Sequence, residues 1–260
     1  WFRMKRGQLG RDGNFSFENQ FNHYEMGYDE VIDKTDKYTR YGGISFGYTD
    51  GTSSYKGGLG ENKNKALSMY VTQIGKKGHY MDLVFKINRM DTDYSVYDTN
   101  SNKIGGDFEN KGVSLSTEYG YKKELSKSGW YIEPQVQLKV GYLSGDDYTS
   151  NNVKVSQKDM TSILGRVGFN LGKDMSKNSQ FYVKANLLHE FCGDYDVTMT
   201  DKFDNKLRID QDFGDTWFEY GLGFTFKTSS NNHIYFDVER MSGGDFDKDW
   251  QWNAGARWTF

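Results

Sequence analysis

The last eleven residues, Trp250–Phe260, alternate without a break. Trp250, Trp252, Ala254, Ala256, Trp258 and Phe260 fall on one face of an extended chain; Gln251, Asn253, Gly255, Arg257 and Thr259 fall on the other. Successive side chains of a β-strand point to opposite faces, so a period of two over this length dictates a strand with one apolar and one polar side. The pattern returns upstream. Trp130, Ile132, Val136, Leu138 and Val140 oppose Tyr131, Glu133, Gln135, Gln137 and Lys139, and Phe218, Tyr220, Leu222, Phe224 and Phe226 oppose Glu219, Gly221, Gly223 and Thr225. Phe181, Val183, Ala185 and Leu187 oppose Tyr182, Lys184 and Asn186, and Val113, Leu115, Thr117, Tyr119 and Tyr121 oppose Ser114, Ser116, Glu118 and Gly120.

A half-buried soluble sheet also alternates, so what shares the polar face decides between the two. Glycines and lone charges of both signs lie together there, as a water-filled lumen requires, while aromatic and branched residues lie together on the other side. Mean hydropathy is −0.82, and no run of about 18 apolar residues forms a membrane helix. Neither fact argues against a membrane barrel, whose strands show only every second residue to lipid. Aromatic residues make up 17% of the chain, and there is one proline in 260 residues; both suit aromatic girdles and unbroken ladders.

The expected fold is all-β: a transmembrane antiparallel β-barrel of about twelve strands, of outer-membrane type. The strands are expected near 1–6, 20–32, 37–50, 64–75, 79–96, 108–123, 129–148, 153–172, 180–196, 207–227, 232–241 and 249–260. Short polar turns at Gly75–Gly78, Ser126–Gly129 and Thr228–Asn232 alternate with longer connections rich in Asp, Asn and Gly, such as Asp98–Asp107. Short turns at one end and long loops at the other are the pattern of outer-membrane barrels. With the chain ending inside its last strand at the periplasmic side, the short turns are periplasmic and the long loops external. No linker interrupts the series, so residues 1–260 read as one barrel domain. Trp1-Phe2-Arg3-Met4 lacks the charged and apolar regions of a secretion signal, and an upstream portion of the gene product is expected.

An ordered set of segments resembles the autotransporter β-domain (translocator) of the pertactin type, of type V secretion. It comprises Lys77–Val96, Lys127–Tyr142 with its Glu-Pro-Gln, Ser162–Lys173 with Leu-Gly-Arg, Phe181–Phe191 ending in Glu-Phe, and the closing NAGARWTF. The first 60 residues match weakly. The resemblance implies a twelve-stranded barrel in the outer membrane of a Gram-negative bacterium, anchoring and exporting its own N-terminal passenger to the cell surface. It also implies a lumen helix or linker before the first strand, where this sequence instead opens with strand one. The implied partners are the bilayer, the barrel-assembly machinery and the passenger segment, with the barrel a monomer. A stand-alone outer-membrane channel or adhesin barrel is the alternative reading.

Among candidate residues, Phe260, Trp258 and Ala256 share the outer face of the last strand; the resemblance implies that they signal to the assembly machinery. Glu118, Glu133, Lys139, Arg166, Lys184, Glu190, Glu219 and Arg257, with Lys122, Asp237 and Glu239, are expected to face the lumen. There, charges of mixed sign pair with one another, because unpaired burial is costly. Some family members cut their passenger with inward acidic residues, but the bond concerned would precede Trp1. His23, His79, His189 and His233 sit at no Ser/His/Asp or metal-ligand spacing, so the domain reads as no enzyme and as needing no cofactor. Asp245, Asp247 and Asp249 have the spacing that begins a calcium loop, but Ala256 stands where its last acidic ligand belongs, leaving an ordinary solvated loop. Cys192 is the only cysteine, which excludes an internal disulfide. The balanced charge, formally −3, gives no basic patch for nucleic acid. Pro134 lies inside an expected strand and predicts a bulge.

Overall fold

The computed structural model describes residues 1–13, 16–229 and 232–258. Phe260 therefore lies outside the described residues. The barrel wall starts with Phe2–Arg11 (β1), Phe17–Lys34 (β2), Tyr38–Tyr55 (β3), Gly58–Gly75 (β4), His79–Tyr97 (β5) and Lys103–Tyr121 (β6). After the two-residue strand Lys123–Glu124 (β7) it continues with Trp130–Leu143 (β8). The strands Asp147–Ser150 (β9) and Val153–Gln157 (β10) stand outside it, and the wall resumes with Met160–Ser176 (β11) and Ser179–Glu190 (β12). Asp194–Thr200 (β13) and Lys206–Asp212 (β14) are again outside, before Thr216–Lys227 (β15), His233–Ser242 (β16) and Asp247–Arg257 (β17) complete the wall.

Every pairing is antiparallel. The sheet runs β11-β12-β15-β16-β17-β1-β2-β3-β4-β5-β6-β8 and closes because β8 also pairs with β11. That is a twelve-stranded barrel, with no free edge in the wall to leave backbone groups unpaired in lipid.

Burial is inverted relative to a soluble protein. Among the described residues, thirteen polar or charged side chains are buried against three apolar ones, Tyr131, Val155 and Leu188. Leu138, Leu222, Phe224, Trp130 and Trp258 are exposed, and Trp252 is half-buried beneath Phe236. A surface this apolar is stable only against another apolar phase. The outward face of β5 shows how tall that phase is. Met81, Leu83, Phe85 and Ile87 point out, and Arg89, Asp91 and Asp93 follow them. His79 to Ile87 is a run of nine residues, at the lower end of the roughly 9–11 that a tilted strand needs to cross the apolar band of an outer-membrane barrel. Beyond it, β2–β6 rise into water, since a membrane-spanning strand takes only about 9–11 of their 18–19 residues.

The structure corrects four expectations. The segments expected at 153–172, 180–196 and 207–227 each fuse a wall strand with an external one, and 129–148 overruns β8 by five residues. The external strands β14-β13-β10-β9 form their own four-stranded sheet with a dry and a wet face. They alternate too, so periodicity carries no mark where wall gives way to loop. The long connections are also not uniformly long: β3 and β4 are joined by Lys56–Gly57 alone, and β6 already begins at Lys103, inside the expected loop. There the strands themselves project. Finally, Pro134 makes no bulge. It pairs with Phe169 of β11 in unbroken register, while on the other side the ladder stops at Gly120–Gln135 and resumes at Lys123–Ile132. The residue without an N–H sits in that interruption, where no donor is called for.

Candidate functional site: the inner wall of the barrel

The alternation that sends apolar residues outward places the opposite side chains on the concave wall. Some of their bonds skip a strand, since side chains inside the curve can reach over their neighbour. Arg166 on β11 reaches across β8 to Glu118 on β6 at 2.8 Å and also donates to Gln135, Gln137 and Asn186. Glu118 in turn accepts from the Tyr80 hydroxyl at 2.7 Å. Glu133 accepts from Gln135 and Asn170. Lys139 stands exposed on the same face, with Lys86 as its charged neighbour.

A second cluster is centred on Lys184 of β12. Its ammonium reaches over β15 to Asp237, at 2.9 Å, and Glu239 on β16. Lys248 bridges Glu239 and Glu219 at 2.7 and 3.0 Å, and Gln251 and Asn253 donate to the same Glu239 and Asp237 oxygens as the two lysines. Two ammonium groups face three carboxylates, so most of the charge is compensated, which is the condition for keeping it in a partly desolvated wall. Lys248 escapes sequence reasoning because β17 bulges at Asp249: Gln8 faces Trp250 but Leu9 faces Lys248. The extra residue reverses the alternation and turns Lys248 inward.

Nearer the termini, Arg3 pairs with Glu25, which also accepts from Ser45 at 2.8 Å and lies 3.5 Å from His23. Arg257 pairs with Asp29, whose other oxygen accepts from the Tyr70 hydroxyl. Trp1 joins this group. Its amine and carbonyl pair with Gly27, and its indole N–H donates to Tyr70 at 2.6 Å. Apart from Arg257, these residues lie in the first part of the chain, where the strand pattern is weak and the pairing is not legible. Glu190 sits at the opposite end, accepting from the Ser162 hydroxyl and the Ile163 and Cys192 backbone amides. Lys122 lies in the turn after β6, with its ammonium 3.8 Å from the centre of the Tyr131 ring.

Inward aromatic rings lie flat over glycines directly across the ladder: Tyr70 over Gly43, Tyr80 over Gly120, Tyr131 over Gly172, Tyr182 over Gly223 and Tyr235 over Gly255. Trp1 lies over Gly27 in the same way. In each case a Cβ would collide with the ring. All twelve wall strands are thereby taken in six hairpin pairs, each fastened at the end nearest the termini. Because the rings lie along the wall, this mouth is lined with aromatic surface without being closed by it.

The family described as "Autotransporter beta-domain" matches residues 1–239. The chain belongs to that family. It is 27% identical to the pertactin autotransporter of Bordetella parapertussis over 98% of its own length, and 30% identical to the probable autotransporter YcgV of Escherichia coli over all of it. It spans about a quarter of the length of these relatives, 28% and 27% respectively. Among solved structures it resembles the β domain of the Bordetella autotransporter BrkA, with a TM-score of 0.80 at 23% identity, covering all of this chain and 98% of that one. The translocator domain of NalP from Neisseria meningitidis gives 0.76 at 11% identity, covering all of this chain and 87% of that one. The autotransporter β-domain described here is thus a barrel of the Gram-negative outer membrane. By the short-turn rule, its termini face the periplasm.

Proposed function

We propose that this β-domain is the translocator of an autotransporter: a pore that anchors an N-terminal passenger and passes it to the cell surface. The observation that carries the reading is the position of Trp1. Its side chain lies on the concave wall, bonded to β4, so any segment attached to its amine starts at the rim of the lumen. An α-helix is about 10–12 Å across with its side chains, a fit for a barrel of this strand number. The polar wall, with most of its charges paired and exceptions such as Lys86 and Lys139, offers such a segment hydrogen bonds and little net field.

In this reading residues 1–260 act as one monomeric unit with no catalytic role of their own. Glu118, Glu133, Lys139, Arg166, Lys184, Glu190, Glu219 and Arg257 hold the wall or touch the passenger segment. Ala256, Trp258 and Phe260 form the outer-face signal for the barrel-assembly machinery. Exposure of Trp258 and the half-burial of Ala256 support that role for the first two.

The test is electrical. In a planar bilayer the 260-residue chain is expected to give modest, weakly selective conductance, and restoring the native segment encoded upstream of Trp1 is expected to lower it. Unchanged conductance, with that segment shown to be folded in the barrel, refutes the export reading in favour of a stand-alone channel or adhesin.

A further inference from the structure

The two ends of the barrel carry opposite charge. At the end holding the termini, the connecting segments 34–37, 76–78, 122–129, 173–178 and 227–232 contain ten lysines and three acidic residues. At the other end, segments 12–16, 56–57, 98–102, 144–159, 191–215 and 243–246 contain thirteen aspartates and six lysines or arginines. The basic end is compact, because its cations lie on tight turns around a closed ring. Lys34, Lys37, Lys76, Lys77, Lys123, Lys127, Lys177 and Lys227 are exposed and occupy all five turns. The ion pairs formed there, Lys122 with Asp174 and Arg40 with Asp33, involve none of these eight among the described residues.

Height along the barrel says what the lysines face. The last outward residues before the turns are interfacial in character: Trp130 with the Lys173 ammonium 5.4 Å from its ring centre, and His79 stacked on Tyr121 at 4.2 Å. Leu125 and Met175 are exposed within the turns themselves. Aromatic and amphipathic side chains collect where acyl chains meet headgroups, so the lysines stand at headgroup level rather than free in the periplasm.

We propose that this rim binds the phosphates of anionic glycerophospholipids in the periplasmic leaflet, drawing them around the barrel in preference to neutral lipids. Unpaired ammonium groups beside an anionic lipid surface are attracted to it over a Debye length, and the acidic far end repels the same lipids. The inference rests on the membrane placement of the barrel and not on export.

The test uses the 260-residue chain in vesicles of phosphatidylcholine and phosphatidylglycerol, with one lipid or the other brominated to quench tryptophan fluorescence. At low salt, phosphatidylglycerol is expected to occupy the barrel's surface with a preference on the order of fivefold, the worth of about one engaged lysine. Replacing all eight exposed lysines by glutamine should bring the preference close to one, with folding checked by heat-modifiable migration on gels. Glutamine at Lys56, Lys154, Lys202 and Lys206, at the other end, should leave it unchanged. If the eightfold variant fails to fold, the unaltered protein still decides the matter, because salt at about 0.5 M should abolish the preference. Equal occupancy by the two lipids at low salt, or a preference that survives the substitutions or the salt, overturns the proposal. An acidic periplasmic protein would then be the partner to seek for the rim.

Discussion

The two ends of this barrel are held by different means. At the periplasmic end the turns are short, the strands are fastened by rings laid over glycines, and eight exposed lysines stand outside the ion pairs of the described residues. At the external end two connections, 144–159 and 191–215, pair with each other as β10 with β13 and complete a sheet of their own. That sheet leans on the wall at both sides. Ser150 donates to the Gly105 carbonyl and Tyr148 stacks on Phe108, while Arg11 on β1 donates to Gln211 and lies against the Phe213 and Phe246 rings. In lipid, order comes from covering the inner face, because every wall group must find its partner within the barrel. In water, the external sheet keeps buried anchors at Ser150 and Gln157. Its Asp196 ion pairs with Lys158 and Arg208 are open to solvent, which replaces them at low cost.

If this contrast holds, damage inside the wall should cost far more than damage to the external sheet. The largest effect is expected for Lys184→Met. It leaves Asp237 without its ion pair and Glu239 paired with Lys248, and breaking a buried pair by removing one partner costs about 3–5 kcal/mol. Urea unfolding in lipid vesicles would measure it, and adding Glu239→Gln should return part of the loss. Next is Gly172→Ala, which drives a methyl group into the Tyr131 ring. Overpacking of this kind costs about 1–3 kcal/mol, and Tyr131→Ala in the same chain should relieve the clash; equal unfolding midpoints for Gly172→Ala and the parent would break the account of the fastening rings.

The smallest effect belongs to the external sheet. The Asp196 carboxylate on β13 accepts from Lys158 at 2.7 Å and Arg208 at 3.0 Å, and the Lys158 hydrogen bond holds its pKa below the ordinary carboxylate value. A depressed carboxyl stabilises the folded form above its unfolded pKa and loses that contribution as pH falls through the folded value. Hydrogen exchange at β10 and β13 should therefore quicken only in acid, below about pH 4, while the wall strands stay protected. Asp196→Asn should bring the same quickening at neutral pH.

What the sequence made legible follows the same division. Alternation over Trp250–Arg257, Trp130–Leu143 and Thr216–Lys227 separates outer from inner residues because lipid and lumen impose opposite demands on neighbouring positions. Alternation in β10, β13 and β14 answers to a different pair of surfaces yet reads the same, so the external strands fused with the wall. Lys248 was hidden by a single bulged residue. Arg257–Asp29 was hidden for another reason: it joins the last wall strand to the second across β1, and those strands become near neighbours only when the ring closes.

The wall is also uneven in height. The strands β2–β6 run to 18–19 residues, whereas β12, β15, β16, β17 and β1 have 10–12. Seen from outside the cell, the mouth is a slanted collar, tall and continuously hydrogen-bonded along one arc and low along the other. The external sheet rises from the low side, where it stands in for missing wall. A protease arriving from the medium therefore meets unbroken ladder on one flank and separable hairpins on the other, and its first cuts should fall in 144–159 and 191–215, leaving the collar's tall arc and the membrane-embedded ring intact.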